Sequence, residues 1–234
     1  MSPLTFTSTF ADDTAVVSIH RNRSIASAQL QSHTRSLEDW LKKWRMSVNA
    51  SKCTHVTFTL NRETCPAIRF LNELIPQNDH VKYLGIHLDR RLTWTPHIAS
   101  KITQMKLKSI QLHWLIGQQS TLDLRYKVLL YKTVLKPIWT YGIQLWGTAC
   151  ASNIKKLQRR QSIILRSIIG APWFIKNDNI HRVLNVPTVE EEIKTHCRRY
   201  VNKLYDHPNA LARDLLNFEG HSRIKKKNTL DMIN

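Results

Sequence analysis

The sequence predicts an α+β fold, a small mixed unit followed by an all-helical one. Three observations predict it. Strand-like alternation flanks an Asp-Asp pair near residue 12, and further strand-like runs recur as far as residue 88. From about residue 97 the apolar period becomes helical and stays so to about residue 218. The 234 residues, 42% of them hydrophobic, suffice for one large core or two small ones.

The elements follow in order. Residues 4–20 predict a β-hairpin: Leu4, Phe6, Ser8 and Phe10 alternate with small polar residues, and Val16, Val17 and Ile19 supply the return strand. Ala11-Asp12-Asp13 falls at the turn. Residues 24–45 predict a helix, with Leu30, Thr34, Leu37, Leu41 and Trp44 on one face and Glu38 and Lys42 as an i,i+4 pair elsewhere. Residues 54–60 (THVTFTL) predict a strand, followed by a polar loop containing Pro66. Residues 81–88 (VKYLGIHL) predict another strand, with Gly85 marking a bulge or a close backbone approach.

In the second part, Ile98, Ile102, Met105, Ser109, Leu112 and Ile116 form one stripe ended by Gly117. A second helix is expected from near Ser120-Thr121 to Lys136, continuing through 138–146 after a kink at Pro137. A third spans 153–169 and stops at Gly170-Ala171-Pro172. A fourth starts after Pro187, where Thr188 and Glu191 fit a capping box, and runs to about Tyr205. Short helical turns are expected over 208–218, then a frayed basic tail from His221 that includes Lys225, Lys226 and Lys227, a weak nuclear-import patch.

Composition narrows the function. Lys and Arg number 35 against 17 acidic residues, a net charge of +18, which points to a polyanionic partner such as nucleic acid. No run approaches the roughly 20 apolar residues of a spanning helix, so no membrane partner is expected. Cys53, Cys65, Cys150 and Cys197 are scattered, form no C-x-x-C pair, and read as reduced thiols of an intracellular protein. A location in nucleus or cytoplasm follows as the expectation.

Adjacent carboxylates at a turn repel each other unless solvent or a cation compensates. A lone Asp-Asp is most often a solvated turn. Here Ala11 has no turn propensity, Thr14-Ala15-Val16 is strand-like, and the Gly or Asn of a tight hairpin is missing. Paired hard oxygens in a strongly basic chain suit a divalent cation shared with substrate phosphates.

Phe10-Ala11-Asp12-Asp13 resembles the F/Y-x-D-D box of reverse transcriptases. The segments that follow keep that family's order. LEDWLKKWRMSVNASK at 37–52 resembles the helix and strand after the box in polymerases of non-LTR retrotransposons, and VKYLGIHLD at 81–89 resembles the primer-grip hairpin. Leu92-Thr93-Trp94, Leu135-Lys136-Pro137, Tyr141-Gly142, Trp146-Gly147, Pro208-Asn209 and Leu211-Ala212 resemble the helical thumb, most closely in the jockey-like group. The box alone is weakly specific; the ordered blocks, over about residues 5–216, are strongly so.

This resemblance implies a partial palm at 1–95 with a primer-grip-like hairpin, a helical thumb and connection at 96–220, and a basic disordered tail at 221–234. It implies that Asp12 and Asp13 bind Mg²⁺ in a two-metal site, with Asp12 as inner ligand, and that Phe10 and Ala11 shape the turn under the primer terminus. Lys52 would serve the nucleotide phosphates, with an ordinary surface lysine as the equal alternative. Lys82, Tyr83, Leu84 and Gly85 would position the primer backbone, though plain strand packing also explains Tyr83 and Leu84. The partners implied are an RNA template, a DNA primer or duplex, and the upstream half of the polymerase.

One departure matters. A two-metal polymerase needs another carboxylate from a neighbouring strand upstream of the box, and neither Asp39, Asp89 nor Asp123 matches it. The expectation is a truncated copy or a clipped gene model, an RNA-directed DNA polymerase fragment inactive alone. The alternatives are a non-catalytic basic nucleic-acid-binding module and a fragment whose unpaired sheet edge prevents stable folding. The best nucleic-acid surface is the 153–169 helix, where Lys155, Lys156, Arg159, Arg160 and Arg166 surround an apolar side. Trp40 and Trp44 lie on an apolar helix face, Trp94, Trp114, Trp139, Trp146 and Trp173 lie among apolar neighbours, and most of the seven read as core.

Overall fold

The computed structural model describes residues 5–216 and 228–233. The chain is a mixture of helices and small antiparallel hairpins, and it divides into two compact units, Met1–Leu92 and Thr93–Asn234.

The first unit opens with β1 (Thr5–Phe10) and β2 (Asp13–Ser18), paired in register from Thr5↔Ser18 to Phe10↔Asp13. Helix α1 (Arg23–Lys43) follows, its N-terminus capped by the Asn22 side chain. Its end is a Schellman closure: Met46 N donates to Leu41 O, Arg45 N donates to Lys42 O, and Arg45 takes φ +53° where glycine is usual. Trp44 is therefore the cap residue, not part of the buried stripe.

The apolar core of this unit is small: Leu41, Ala50, Ile68, Phe70 and Ile75, with Leu30, Leu37, Cys53 and Leu71 packed against them. Polar side chains of α1 hold the 66–71 backbone. Gln31 pairs with both the N–H and C=O of Arg69 at 2.8 and 2.9 Å, and Glu38 accepts from Leu71 N at 2.7 Å.

Two further hairpins are β3 (Arg69–Phe70) with β4 (Glu73–Leu74), and β5 (His80–Tyr83) with β6 (Ile86–Asp89). Leu71-Asn72 and Leu84-Gly85 close them with both central residues at positive φ, the turn that matches strand twist. Gly85 thus sits in a hairpin turn, not in a bulge of one continuous strand. The strand expected at 54–60 is not formed either. A single bridge, His55↔Gln77, and a lone backbone hydrogen bond from Thr59 N to Arg90 O join it to its neighbours, while Thr57 Oγ1 accepts from Cys65 N and Gln77 Nε2.

The second unit is helical: α2 (Thr95–Gln111), α3 (His113–Ile116), α4 (Leu124–Leu130), α5 (Lys136–Thr140), α6 (Ile143–Trp146), α7 (Ala151–Ile169), α8 (Asn177–Leu184), α9 (Val189–Tyr205) and α10 (Ala210–Arg213). The helix expected from Ser120 starts instead at Leu124, where the Asp123 side chain accepts from Arg125 N at 2.7 Å. Between α4 and α5 lies a π-helical segment, Tyr131–Leu135. Pro137 cannot donate to the preceding turn and its ring crowds the carbonyl there, so the ladder widens just before it. The kink comes as π-helix, and the helix ends at Thr140, since Tyr141 is extended and Gly142 takes φ +65°.

Tyr131, Trp139, Trp146, Met105, Leu135, Leu165 and Ile193 are buried in this unit's core. The rings of Trp139 and Trp146 meet edge-on at 6.4 Å. Gly170 ends α7 with φ +63°, and α9 begins with the Thr188–Glu191 capping box. Helix α8 is an element that the apolar pattern alone leaves unassigned.

The expected frayed tail is corrected at 228–233. Thr229 is buried, donates to Gln144 O at 3.1 Å, and begins a turn, Leu230–Met232. The remainder of the basic tail, with Lys225, Lys226 and Lys227, lies outside the described residues. No helix among the described residues is long and apolar enough to cross a membrane.

Candidate functional site

The Asp-Asp turn is a two-residue loop. Phe10 and Asp13 are the closing pair, so only Ala11 and Asp12 span the reversal and Asp13 is the first residue of β2. Ala11 carries φ +53°, a conformation that costs a residue with a Cβ roughly 1–2 kcal/mol and that glycine would adopt freely. Both aspartates are exposed, and neither carboxylate has a hydrogen-bond or ion-pair partner among the described residues.

The hairpin has two unlike faces. Thr7 and Ser18 lie on the face toward α1, where they meet His33 Nε2 at 3.0 Å and Gln29 Oε1 at 2.9 Å. The other face carries Phe6, Phe10, Ala15 and Val17, and Asp13 shares it as the partner of Phe10. Phe10 is 65% exposed. The aspartates thus stand at the tip of a hairpin whose polar face is anchored and whose apolar face is open.

Lys52 ends a 3₁₀ turn, Ala50–Lys52, whose start is capped by Asn49. It is exposed, and no hydrogen bond or ion pair ties it to Asp12 or Asp13. Lys82 lies on β5, exposed and opposite His87 on β6. Tyr83, on the opposite face, pairs with the buried Ile86, and its hydroxyl is buried without a hydrogen-bond partner. Leu84 and Gly85 are the turn itself.

At the predicted metal site the described residues present two carboxylates, Asp12 and Asp13. Magnesium accepts one or two carboxylates together with substrate phosphates, and two adjacent hard-oxygen donors fit that need in part. Among the described residues no group of three or more His, Cys, Asp or Glu side chains comes together to enclose an ion.

Helix α7 separates its predicted basic residues by role. Leu157, Ile164, Leu165 and Ile168 are buried, while Lys155, Lys156 and Arg159 are exposed. Lys156 Nζ lies 3.4 Å from Asn153 Oδ1. Arg160 leans inward to Ser109 Oγ at 3.1 Å, and burial lowers the proton affinity of its guanidinium. Arg166 donates to the carbonyls of Pro172 and Ile175 and to Asn177 Oδ1, the last two at 2.7 and 2.9 Å. That guanidinium braces the loop after α7.

The tryptophans correct the expectation of a mostly buried set. Trp94, Trp139 and Trp146 are core, but Trp40, Trp44, Trp114 and Trp173 are exposed, Trp173 by 89%. α1 buries the small side chains Ser27 and Thr34 with Leu41, which leaves Trp40 on its outer surface. No periodicity signalled the exposure of Trp173, since it stands in a loop.

Residues 3–88 match the family model for reverse transcriptase (RNA-dependent DNA polymerase), so this stretch carries that family's domain. Its relatives are polymerases of non-LTR mobile elements. It is 37% identical over 225 residues to the probable RNA-directed DNA polymerase from transposon X-element of Drosophila melanogaster, a match covering 96% of this chain and 25% of that protein. It is 35% identical over 224 residues to the RNA-directed DNA polymerase from mobile element jockey of the same species, covering 94% and 24%. The chain thus spans about a quarter of the length of the curated relatives it matches. No solved structure matches it.

Proposed function

We propose that this chain supplies the second half of a reverse transcriptase palm and its helical thumb. In this reading Asp12 and Asp13 are carboxylate ligands for the Mg²⁺ of nucleotidyl transfer. The observation that carries it is the Asp12-Asp13 pair itself: adjacent, exposed carboxylates, without a cationic partner among the described residues, on a strained turn in a chain of net charge +18.

The chemistry then divides as follows. Bound Mg²⁺ would offset the negative charge of the triphosphate and lower the pKa of the primer hydroxyl that attacks it. Asp12, in the loop, is the inner ligand; Asp13, paired with Phe10 at the start of β2, holds the second position. Phe10 and Ala11 shape the ledge beneath the primer end. Lys82 and the Leu84-Gly85 turn contact the primer backbone, and Lys52 the nucleotide phosphates. Lys155, Lys156 and Arg159 track the RNA–DNA duplex along α7, since exposed cations bind phosphates by releasing counterions.

Two carboxylates do not complete a two-metal site. The 234-residue chain by itself is therefore expected not to extend a primer. A second reading, a nucleic-acid-binding module without catalysis, is favoured by the lack of a third carboxylate near the pair among the described residues.

The test is Mn²⁺ titration in the presence of a deoxynucleoside triphosphate, read as paramagnetic broadening of backbone amides. Broadening centred on residues 10–14, abolished by Asp12→Asn with Asp13→Asn, supports metal ligation. Broadening that is scattered, or unchanged in the double variant, leaves the binding-module reading.

A further inference from the structure

Trp173 is the most exposed large hydrophobic side chain of the described residues, at 89%, and Phe174 beside it is exposed too, their rings edge-on at 6.0 Å. Two adjacent aromatics in water are unfavourable unless something covers them. They are also not on a floppy loop. Arg166 donates to Pro172 O on one side of the pair and to Ile175 O and Asn177 Oδ1 on the other, so one guanidinium ties both ends of the loop. The bracing pre-pays the ordering cost of whatever the indole binds.

The surroundings indicate the occupant. Trp173 lines an open cleft of about 430 Å³ whose other walls include Lys155, Arg159, Ile163 and Arg166 of α7. Lys155 and Arg159 are one helical turn apart on one face, both exposed and without an ion-pair partner among the described residues. No acidic side chain lines the cleft. An exposed, rigid indole beside two free cations and no carboxylate has the chemistry of a platform for an unpaired base with its phosphates. A protein partner would meet the same aromatic pair but would have to bring its own acidic groups for Lys155 and Arg159.

We infer that Trp173, with Lys155 and Arg159, forms a binding site for single-stranded nucleic acid, in which one unpaired base stacks on the indole and the flanking phosphates lie along α7. The inference rests on the nucleic-acid reading of α7 given above and adds a single-strand site to it. The strand is RNA or DNA, since the stacking chemistry is shared by both.

The experiment measures binding of the full chain to fluorescent 12-nucleotide oligo(rU), oligo(dT) and an RNA–DNA heteroduplex over a salt series. Trp173→Ala is expected to weaken single-strand binding about ten-fold, to leave heteroduplex binding within two-fold, and to keep the salt dependence unchanged. Trp173→Phe restores part of the loss. Lys155→Ala with Arg159→Ala is expected to lower the single-strand slope of log K against log salt by about 1.4. The oligonucleotide bound more tightly assigns the strand as RNA or DNA. Wild-type single-strand affinity in Trp173→Ala, or an equal loss on heteroduplex, overturns the site while leaving the duplex-binding reading intact. Failure of the wild-type chain to bind any of the three overturns both.

Discussion

Phe10 and Asp13 close the β1–β2 hairpin as directly paired residues, so the reversal between them is made by Ala11 and Asp12 alone, with Ala11 at φ +53°. The two aspartates therefore occupy different settings. Asp12 projects from a tight loop, and Asp13 is held by the ladder on the same face as Phe10.

The strain at Ala11 gives the first prediction. Ala11→Gly relieves the left-handed conformation and is expected to stabilise the hairpin by about 0.5–1 kcal/mol, while Ala11→Val, β-branched at positive φ, destabilises it by more than about 1 kcal/mol. Hydrogen exchange of the β1 and β2 amides, slower in the first variant and faster in the second, checks this.

A second prediction concerns Glu192, buried in the second unit. Lys136 Nζ lies 2.5 Å from its Oε1, and His196 Nε2 lies 3.5 Å from its Oε2. Burial lowers the proton affinity of His196 more than Glu192 raises it, so lysine is the main counter-charge. Lys136→Met leaves a buried carboxylate poorly paired and is expected to cost about 3 kcal/mol in urea unfolding. Adding Glu192→Met should recover most of the loss.

Alkaline stability gives the third. Burial, the largest cause, pushes the Tyr131 hydroxyl up to about 12 from an ordinary value of 10; Glu192 adds to the shift and Gln161 and Trp139 oppose it. The folded chain keeps this proton between pH 10 and 12 while the unfolded chain releases it. Stability from this group is thus fully present below pH 10 and falls as pH rises to about 12, by roughly 2–3 kcal/mol. Tyr131→Phe should remove that component of the pH dependence in denaturation curves taken from pH 9 to 12.

Gly147 supplies the fourth. A Cβ there would lie 2.5 Å from Ile143 O and 2.9 Å from Ile193 Cγ2, where the end of α6 meets α9. Gly147→Ala is expected to cost about 1–3 kcal/mol, measurable as a lower thermal midpoint.

Much of this was legible in the sequence. Period-2 alternation marks β1 and β2, the 3.6-residue stripe marks α2 and α7, and Thr188 with Glu191 marks the start of α9. The rest is hidden for physical reasons. The β3–β4 turn uses Leu71 and Asn72 at positive φ with no glycine to announce it, because Leu71 packs on the first unit's core. The 54–60 run alternates correctly but finds one bridge instead of a ladder. Arg166 looks like one more phosphate-facing cation until its three acceptors are seen, and Trp173 like one more core aromatic until its exposure is. Of the site, the Asp12-Asp13 pair stands out in sequence because its chemistry is local.

The central claim, that Asp12 and Asp13 serve nucleotidyl transfer, is tested most directly by RNA-templated primer extension. This chain would replace the matching quarter of the jockey polymerase, with the same chain assayed alone. The prediction is Mg²⁺-dependent incorporation by the chimera, abolished by Asp12→Asn or Asp13→Asn, and none by the chain alone. Incorporation by the chimera that survives both substitutions would contradict it.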